Sequence, residues 1–262
     1  MPLLEVEGLG VTFGGLQALA DVRFAVNEGE IHGLIGPNGA GKTTAFNCIT
    51  RLLTPTTGSI RFDGKDLLKV APHNVVRLGI ARTFQNLELC KNQSVLENVM
   101  LGLYHQVKAH HMAYPLMLPS ARRAEAESRQ EAMALLQRVG CAEYAGARVQ
   151  GLPYGVLKRV EFARALACKP RLLLLDEPAA GVTSGEREEL AQLIRETRAS
   201  GVTVLMVEHD MGLVMSLCDR ITVLDFGRVI ADGTPDEVQS NPDVIAAYLG
   251  VEEEESEHAS AG

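Results

Sequence analysis

The chain has 262 residues, 46% of them hydrophobic and 22% charged, and a formal net charge of −8. This length can form one large domain whose core needs no disulfide or metal. The acidic balance gives no sign of the basic face of a duplex nucleic-acid binder. The five cysteines are scattered without a CxxC pair, which indicates a reducing compartment. No apolar run reaches 18 residues, so we expect a cytoplasmic protein that reaches a membrane only through a partner.

The first sixty residues predict short strands, turns and one glycine-rich loop. Segments 3–15 and 20–30 alternate apolar and polar positions and end in glycines, as short strands bounded by turns do. The short apolar run 31–35 predicts a buried strand. It is followed by the loop GPNGAG and by helical spacing over 42–53.

From about residue 84 the pattern becomes helical, and segments 94–104 and 120–140 predict two helices. The strand pattern returns with the apolar run LLLLD at 172–176, followed by an amphipathic helix over 186–201 and a second buried strand within 202–210. Residues 220–233 predict a hairpin. We therefore expect one domain over 1–250 with a helical insertion at about 86–169. The acidic tail 251–262 is expected to be disordered.

The glycine-rich loop matches the pattern G-x-x-x-x-G-K-[ST] between a predicted strand and a predicted helix. Its residues are Gly36, Pro37, Asn38, Gly39, Ala40, Gly41, Lys42 and Thr43. Glycines let backbone N–H groups surround phosphates, and the helix N-terminus adds partial positive charge. Lys42 would reach the β- and γ-phosphates of ATP, and the Thr43 hydroxyl would bind Mg²⁺. The alternative is a simple glycine turn before a helix.

Polar residues also end the two later buried strands. Asp176 could hold Mg²⁺ through water, and Glu177 could activate water for attack on the γ-phosphate. Their alternative is a charge pair at the start of the next helix. His209 follows the second strand, where it could contact the γ-phosphate. Gln85, at the start of the insertion, could contact Mg²⁺ or the attacking water.

These motifs resemble, in order, those of ABC-transporter ATPase subunits up to about Gly250. The resemblance covers a Walker A motif at Gly36 to Thr44, a Q-loop, a signature at Leu152 to Val156, a Walker B motif, a catalytic glutamate and a switch histidine. It implies an α/β fold: a P-loop NTPase core, made of a RecA-like sheet and an N-terminal antiparallel β-subdomain, with an inserted all-helical subdomain. It also implies nucleotide contacts from Thr44, Tyr154 and Gly155, and stacking of Phe13 on adenine. Phe13 could instead be a strand residue packed in the core.

The segments RTFQ, DEPAAG, VEHDM and NPDVIAAYLG further resemble ATP-binding subunits of branched-chain amino-acid importers of the LivG type. That resemblance implies two integral-membrane permease subunits, a second ATPase subunit in a homo- or heterodimer, and an external solute-binding protein. It implies a place on the inner face of the membrane and no nucleic-acid partner. Other transporters, for urea or amides or for lipopolysaccharide export, share much of the pattern. A soluble ABC ATPase acting on DNA or ribosomes remains a further alternative.

Two positions depart from the family pattern. The signature L-S-G-G-Q is LPYGV here, so the serine hydroxyl and one backbone N–H are missing. The backbone donors of Tyr154, Gly155 and Val156 remain, and we expect them to bind phosphate together with the helix dipole. The second departure is Thr183, where the family has aspartate. The segment KRVEFAR, 158–164, has the charge pattern of a solvated helix face.

Overall fold

The computed structural model describes residues 2–85, 87–104 and 119–248, apart from the side chains of 119–121. The acidic tail predicted to be disordered lies outside these residues, as does part of the predicted helical insertion. Within the described residues, no helix is both long enough and apolar enough to cross a membrane.

The strands are, in chain order, β1 Pro2–Phe13, β2 Leu16–Asn27, β3 Ile31–Ile35, β4 Thr57–Phe62, β5 Lys65–Asp66, β6 Ile80–Arg82, β7 Leu172–Asp176, β8 Thr203–Val207, β9 Arg220–Asp225 and β10 Arg228–Gly233. The helices are α1 Lys42–Ile49, α2 Val95–Leu101, α3 Pro119–Arg138, α4 Tyr154–Ala167, α5 Ser184–Ala199, α6 Met211–Leu217 and α7 Pro235–Gln239. Residues 242–248 are also helical. Short 3₁₀ turns lie at Leu67–Lys69, Pro72–Asn74, Val76–Leu78 and Ala142–Tyr144.

The strands form two sheets. The first is antiparallel, in the order β2-β1-β4-β5, and its strands alternate buried and exposed positions as the sequence pattern predicts. The second has the order β10-β9-β3-β8-β7-β6 and is parallel except for the β9–β10 hairpin. Its strands β3, β7 and β8 are buried along their whole length. Because these three strands are parallel, the loops that follow them meet at one edge of the sheet.

The described elements between β6 and β7 are helical. Helix α2 packs against α3 and α4, and α4 also contacts β6. The prediction of a solvated face over 158–164 is wrong, because α4 is enclosed by α2, α3 and the sheet. Lys158 and Glu161 are 9% and 1% exposed, and Val160 and Phe162 are buried beside them. The charges on this helix therefore serve internal contacts.

Candidate functional site

The glycine-rich loop runs from the end of β3 to the start of α1, as the motif predicts. Gly36, Gly39 and Gly41 have positive φ angles of 146°, 80° and 102°. A side chain at Gly36 would overlap the Leu224 carbonyl oxygen. A Cβ at Gly41 would lie 2.8 Å from the Ala18 carbonyl oxygen. The loop is therefore fixed by glycine at both ends, where it also packs against neighbouring strands.

The side chain of Lys42 folds back over this loop. Its Nζ donates hydrogen bonds to the carbonyl oxygens of Gly36, at 2.6 Å, and Pro37, at 2.8 Å. Burial lowers the pKa of the ammonium from its ordinary value, although the charges of Glu177 and Asp176 act in the opposite direction. In the part of the chain that the structure describes, no side chain caps the start of α1. The helix N-terminus thus keeps its backbone donors available for an anion, with the ammonium beside them.

Asp176 ends β7 and is 2% exposed. Its Oδ2 accepts a hydrogen bond of 2.6 Å from Arg82, whose guanidinium also lies over the rings of Phe46 and Phe84. The other oxygen, Oδ1, is buried and has no hydrogen-bond partner in the described part of the chain. Buried acceptors without partners are rare in native structures and often mark an ion or water site. One oxygen of Asp176 is therefore held by Arg82, and the other is available to a cation or its water.

Glu177 follows with a backbone φ of 48°, an uncommon left-handed conformation for a residue other than glycine. Its N–H donates to the Val207 carbonyl at 2.9 Å, and its carbonyl accepts from Lys158 Nζ at 3.4 Å. Gln85 Nε2 donates to the carboxylate at 2.9 Å. The side chains of Gln85 and Glu177, both predicted to be catalytic, are thus in direct contact. The backbone of Glu177 is also fixed, by hydrogen bonds with Val207 and Lys158.

His209 lies just beyond β8, with a side chain that is 62% exposed. The loops after β3, β7 and β8 place Lys42, Glu177 and His209 at the same edge of the sheet. Thr43, in the first turn of α1, is exposed at that edge. Phe13, at the end of β1, is 48% exposed, so the structure excludes the reading of a buried core residue.

The signature segment begins α4. Pro153 is the N-cap, no side chain caps the helix, and Leu157 N–H donates to the Pro153 carbonyl at 3.1 Å. The first N–H groups of a helix have no partner within the helix, so those of Tyr154, Gly155 and Val156 need a partner from outside α4. Gly155 and Val156 are themselves buried in the single chain. The Glu186 carboxylate packs directly against Gly155.

The start of α4 also contacts the loop that follows Glu177 in the same chain. The Tyr154 ring packs on Gly181, where an added Cβ would lie 3.1 Å from the ring edge. Lys158 Nζ lies 5.7 Å from the centre of that ring while it donates to Glu177. Tyr154 therefore contacts this loop, while Gly155 contacts Glu186 in the first turn of the helix that follows it, α5.

Thr183, the second departure from the family pattern, is the N-cap of α5. Its Oγ1 accepts the Glu186 N–H at 3.4 Å, and Glu186 Oε2 accepts the Thr183 N–H at 2.9 Å. This capping box stabilises the helix start and lowers the pKa of Glu186 through hydrogen bonds from Thr183. Threonine at this position thus has a structural role that it performs within its own subunit.

Sequence reasoning missed three residues: Arg82, Lys158 and Glu208. Each is charged and buried, and each makes its key contact with a residue far along the chain. Glu208 carried a signal in the sequence, since it directly follows the apolar run Val204–Val207 of strand β8. Charged residues are almost never fully buried unless they are paired. Arg82 and Lys158 carried no comparable local signal.

The parallel sheet, the glycine loop before α1 and the strand-end carboxylates define a P-loop NTPase. Residues 19–180 match the ABC transporter family, and residues 228–254 match the branched-chain amino acid ATP-binding cassette transporter family. The chain belongs to the ABC transporter family of ATP-binding proteins, and it is an ATPase.

Two curated relatives are similar over nearly the whole chain. They are the high-affinity branched-chain amino acid transport ATP-binding proteins BraF of Pseudomonas aeruginosa and LivG of Escherichia coli. Each is 44% identical, over 95% of this chain and 98% of its own length. Among solved structures, the ADP conformation of MJ1267, an ATP-binding cassette of an ABC transporter, superposes with a TM-score of 0.83. It has 32% identity and covers 95% of this chain and 99% of its own.

Proposed function

We propose that the chain is the ATP-hydrolysing subunit of an importer for branched-chain amino acids. We infer the solute class from the 44% identity, over 95% of the chain, to two transport proteins that are named for branched-chain amino acids. The match at 228–254 supports the same assignment. We place the protein in the cytoplasm, on the inner face of the membrane, bound to two permease subunits and served by an external solute-binding protein.

For the nucleotide, we propose that residues 36–44 hold the phosphates of ATP and that Phe13 stacks on the adenine. The residues also fit a magnesium ion: Asp176 has a buried oxygen without a hydrogen-bond partner among the described residues, and Thr43 and Gln85 are exposed at the same sheet edge. Mg²⁺ bound there would neutralise charge on the phosphate oxygens. Glu177 would act as general base toward the attacking water. Gln85 would orient that water, and His209 would contact the γ-phosphate.

We propose that two ATPase subunits pair head to tail, so that the signature helix of one faces the ATP of the other. The start of α4 supports this: among the described residues no side chain caps it, and the first N–H groups and the dipole of a helix suit a phosphate. Hydrolysis would then remove the γ-phosphate contact between subunits and favour an open dimer. The second subunit can be an identical chain or a related one.

A cleft of about 630 Å³ lies between β6 and the helical elements α2 and α4, and we propose it as the permease docking site. Its apolar lining includes Leu52, Val75, Val76 and Leu101. The cleft is also lined by Phe84, which directly precedes Gln85, and by Glu88, which lies three residues after it. The cleft thus includes both sides of this short segment. A permease segment seated there would contact the backbone next to Gln85, which itself contacts Glu177. This arrangement would carry the state of the ATP site to the membrane partner.

The function is tested by isolating the native complex from membranes, identifying the subunits that copurify, and reconstituting it in vesicles. We expect two permease subunits, and ATPase activity stimulated by leucine, isoleucine or valine with their binding protein. If urea or an amide stimulated the ATPase activity instead, the transported solute would belong to that class and not to the branched-chain amino acids. Copurification with lipopolysaccharide-export subunits, or recovery only in the soluble fraction, would contradict the importer assignment.

A substitution in the signature tests its phosphate role. Gly155→Asp would place a second carboxylate at the start of α4, against Glu186, and repel the γ-phosphate. We expect ATPase activity of the assembled dimer to fall by about 100-fold or more, while the isolated subunit keeps its affinity for ATP, since the contact is made across subunits. Gly146→Asp is the control, because Gly146 is exposed and faces open space. If the Gly155 variant kept its ATPase activity, α4 would be an ordinary helix.

A further inference from the structure

Glu208 is a buried carboxylate between the loops that carry Glu177 and His209, with 0% of its surface exposed. Its Oε1 accepts a hydrogen bond of 2.7 Å from the N–H of Ala179, two residues after Glu177. Its Oε2 accepts from the N–H groups of His209, at 2.9 Å, and Asp210, at 3.3 Å. One side chain therefore joins the backbone of both loops.

This contact holds groups that would otherwise be free to shift. The φ of 48° at Glu177 is a conformation that persists only where the surroundings impose it. Hydrogen bonds from backbone N–H groups to an ionised carboxylate are stronger than those between neutral groups. The pairing of β7 with β8 fixes the strands themselves, but the loops beyond them leave the sheet. Glu208 extends the connection past the ends of the strands.

We propose that Glu208 is a positioning residue for ATP hydrolysis, which sets Glu177 and His209 relative to each other through their backbones without touching the nucleotide. The inference rests on the roles proposed above for Glu177 and His209. A displacement of about 1 Å in a catalytic group can cost about 100-fold in rate, so a contact at this place controls turnover. It has no direct part in ATP binding, because its partners lie outside the phosphate loop.

The test is Glu208→Gln, which keeps the size of the side chain. Its amide has one acceptor and one NH₂ group, so the NH₂ must face N–H donors at one of the two loops. We expect kcat for ATP hydrolysis to fall at least about tenfold, with the dissociation constant for ATP changed by less than about twofold.

Glu30→Gln is the matched control. Glu30 is also a mostly buried acid, 13% exposed, that accepts a backbone N–H, from Asn27, but it lies before β3, at the other end of that strand from the phosphate loop. We expect wild-type turnover from it.

Two outcomes would overturn the proposal directly: kcat of the Glu208→Gln variant within about threefold of wild type, or a parallel loss of ATP affinity and kcat, which marks general disruption. Hydrogen exchange of the wild-type chain gives a reading that does not depend on the variant folding. We expect the amides of Ala179, His209 and Asp210 to be protected, and exchange at the rate of open loops would also refute the contact. Failure of the catalytic roles themselves would appear elsewhere, as near-normal hydrolysis by Glu177→Gln.

Discussion

Glu177→Gln is expected to lower kcat for ATP hydrolysis by about 100- to 10,000-fold, the range that a general base contributes. Glutamine keeps the length of the side chain, and its carbonyl oxygen can still accept the hydrogen bond from Gln85. The backbone contacts of residue 177 are unaffected by the change. What is lost is the ability to accept a proton from the attacking water, so the affinity for ATP should stay within about twofold of wild type.

The measurement is steady-state ATPase activity together with nucleotide binding at equilibrium. Glu188→Gln makes the same chemical change on α5, where the side chain is 78% exposed and pairs with Arg195. We expect that control to hydrolyse ATP at the wild-type rate. Near-normal hydrolysis by the Glu177 variant would remove the general-base assignment, and His209 would then need a separate test for that role.

Lys42→Ala is expected to cause a large loss of affinity for ATP. The ammonium is placed over the loop by two carbonyl groups, and it would donate charge-assisted hydrogen bonds to the phosphates. Hydrogen bonds to charged groups contribute about 1.5–3 kcal/mol each, so loss of a single one lowers affinity by about 10- to 150-fold. Binding is measured by calorimetry or by displacement of a fluorescent nucleotide.

Lys69→Ala is the matched control for that substitution, since Lys69 is 84% exposed and pairs with Asp66 in a 3₁₀ turn. We expect no change in its nucleotide affinity. A Lys42→Ala variant that bound ATP as tightly as wild type would contradict the phosphate-binding role of the loop.

Local sequence patterns predicted the parts of the site that depend on short segments. The glycine loop is fixed within eight residues by glycine spacing, a strand before it and a helix after it. The strand-end carboxylate Asp176 was readable because an apolar run ends there. The α/β class was also predicted, since alternating and continuous apolar patterns distinguish half-buried from fully buried strands. The division into two sheets followed from the family resemblance.

Contacts between distant segments were not predictable in this way. Arg82 pairs with Asp176, 94 residues later, and nothing near Arg82 in the sequence indicates that partner. The prediction for 158–164 is wrong because a charge pattern along a helix cannot distinguish a solvated face from one that neighbouring helices and a sheet cover. Lys158 is buried by its contacts with Tyr154 and Glu177, which come from tertiary packing. The packing of the Glu186 carboxylate on Gly155 is another contact of this kind.

The contacts of α4 with the loop after Glu177 have a consequence for the assembled transporter. In the proposed head-to-tail pair, the start of α4 serves the partner's ATP, while Lys158 and Tyr154 hold the same subunit's catalytic loop. In that pair, each chain would contribute its α4 to one ATP site and its Glu177 to the other, and these two elements are in contact within the chain. In such a pair, a change at one ATP site would be transmitted to the other through these contacts. A damaged subunit paired with an intact one would slow both active sites, and mixed dimers would hydrolyse ATP well below half the wild-type rate.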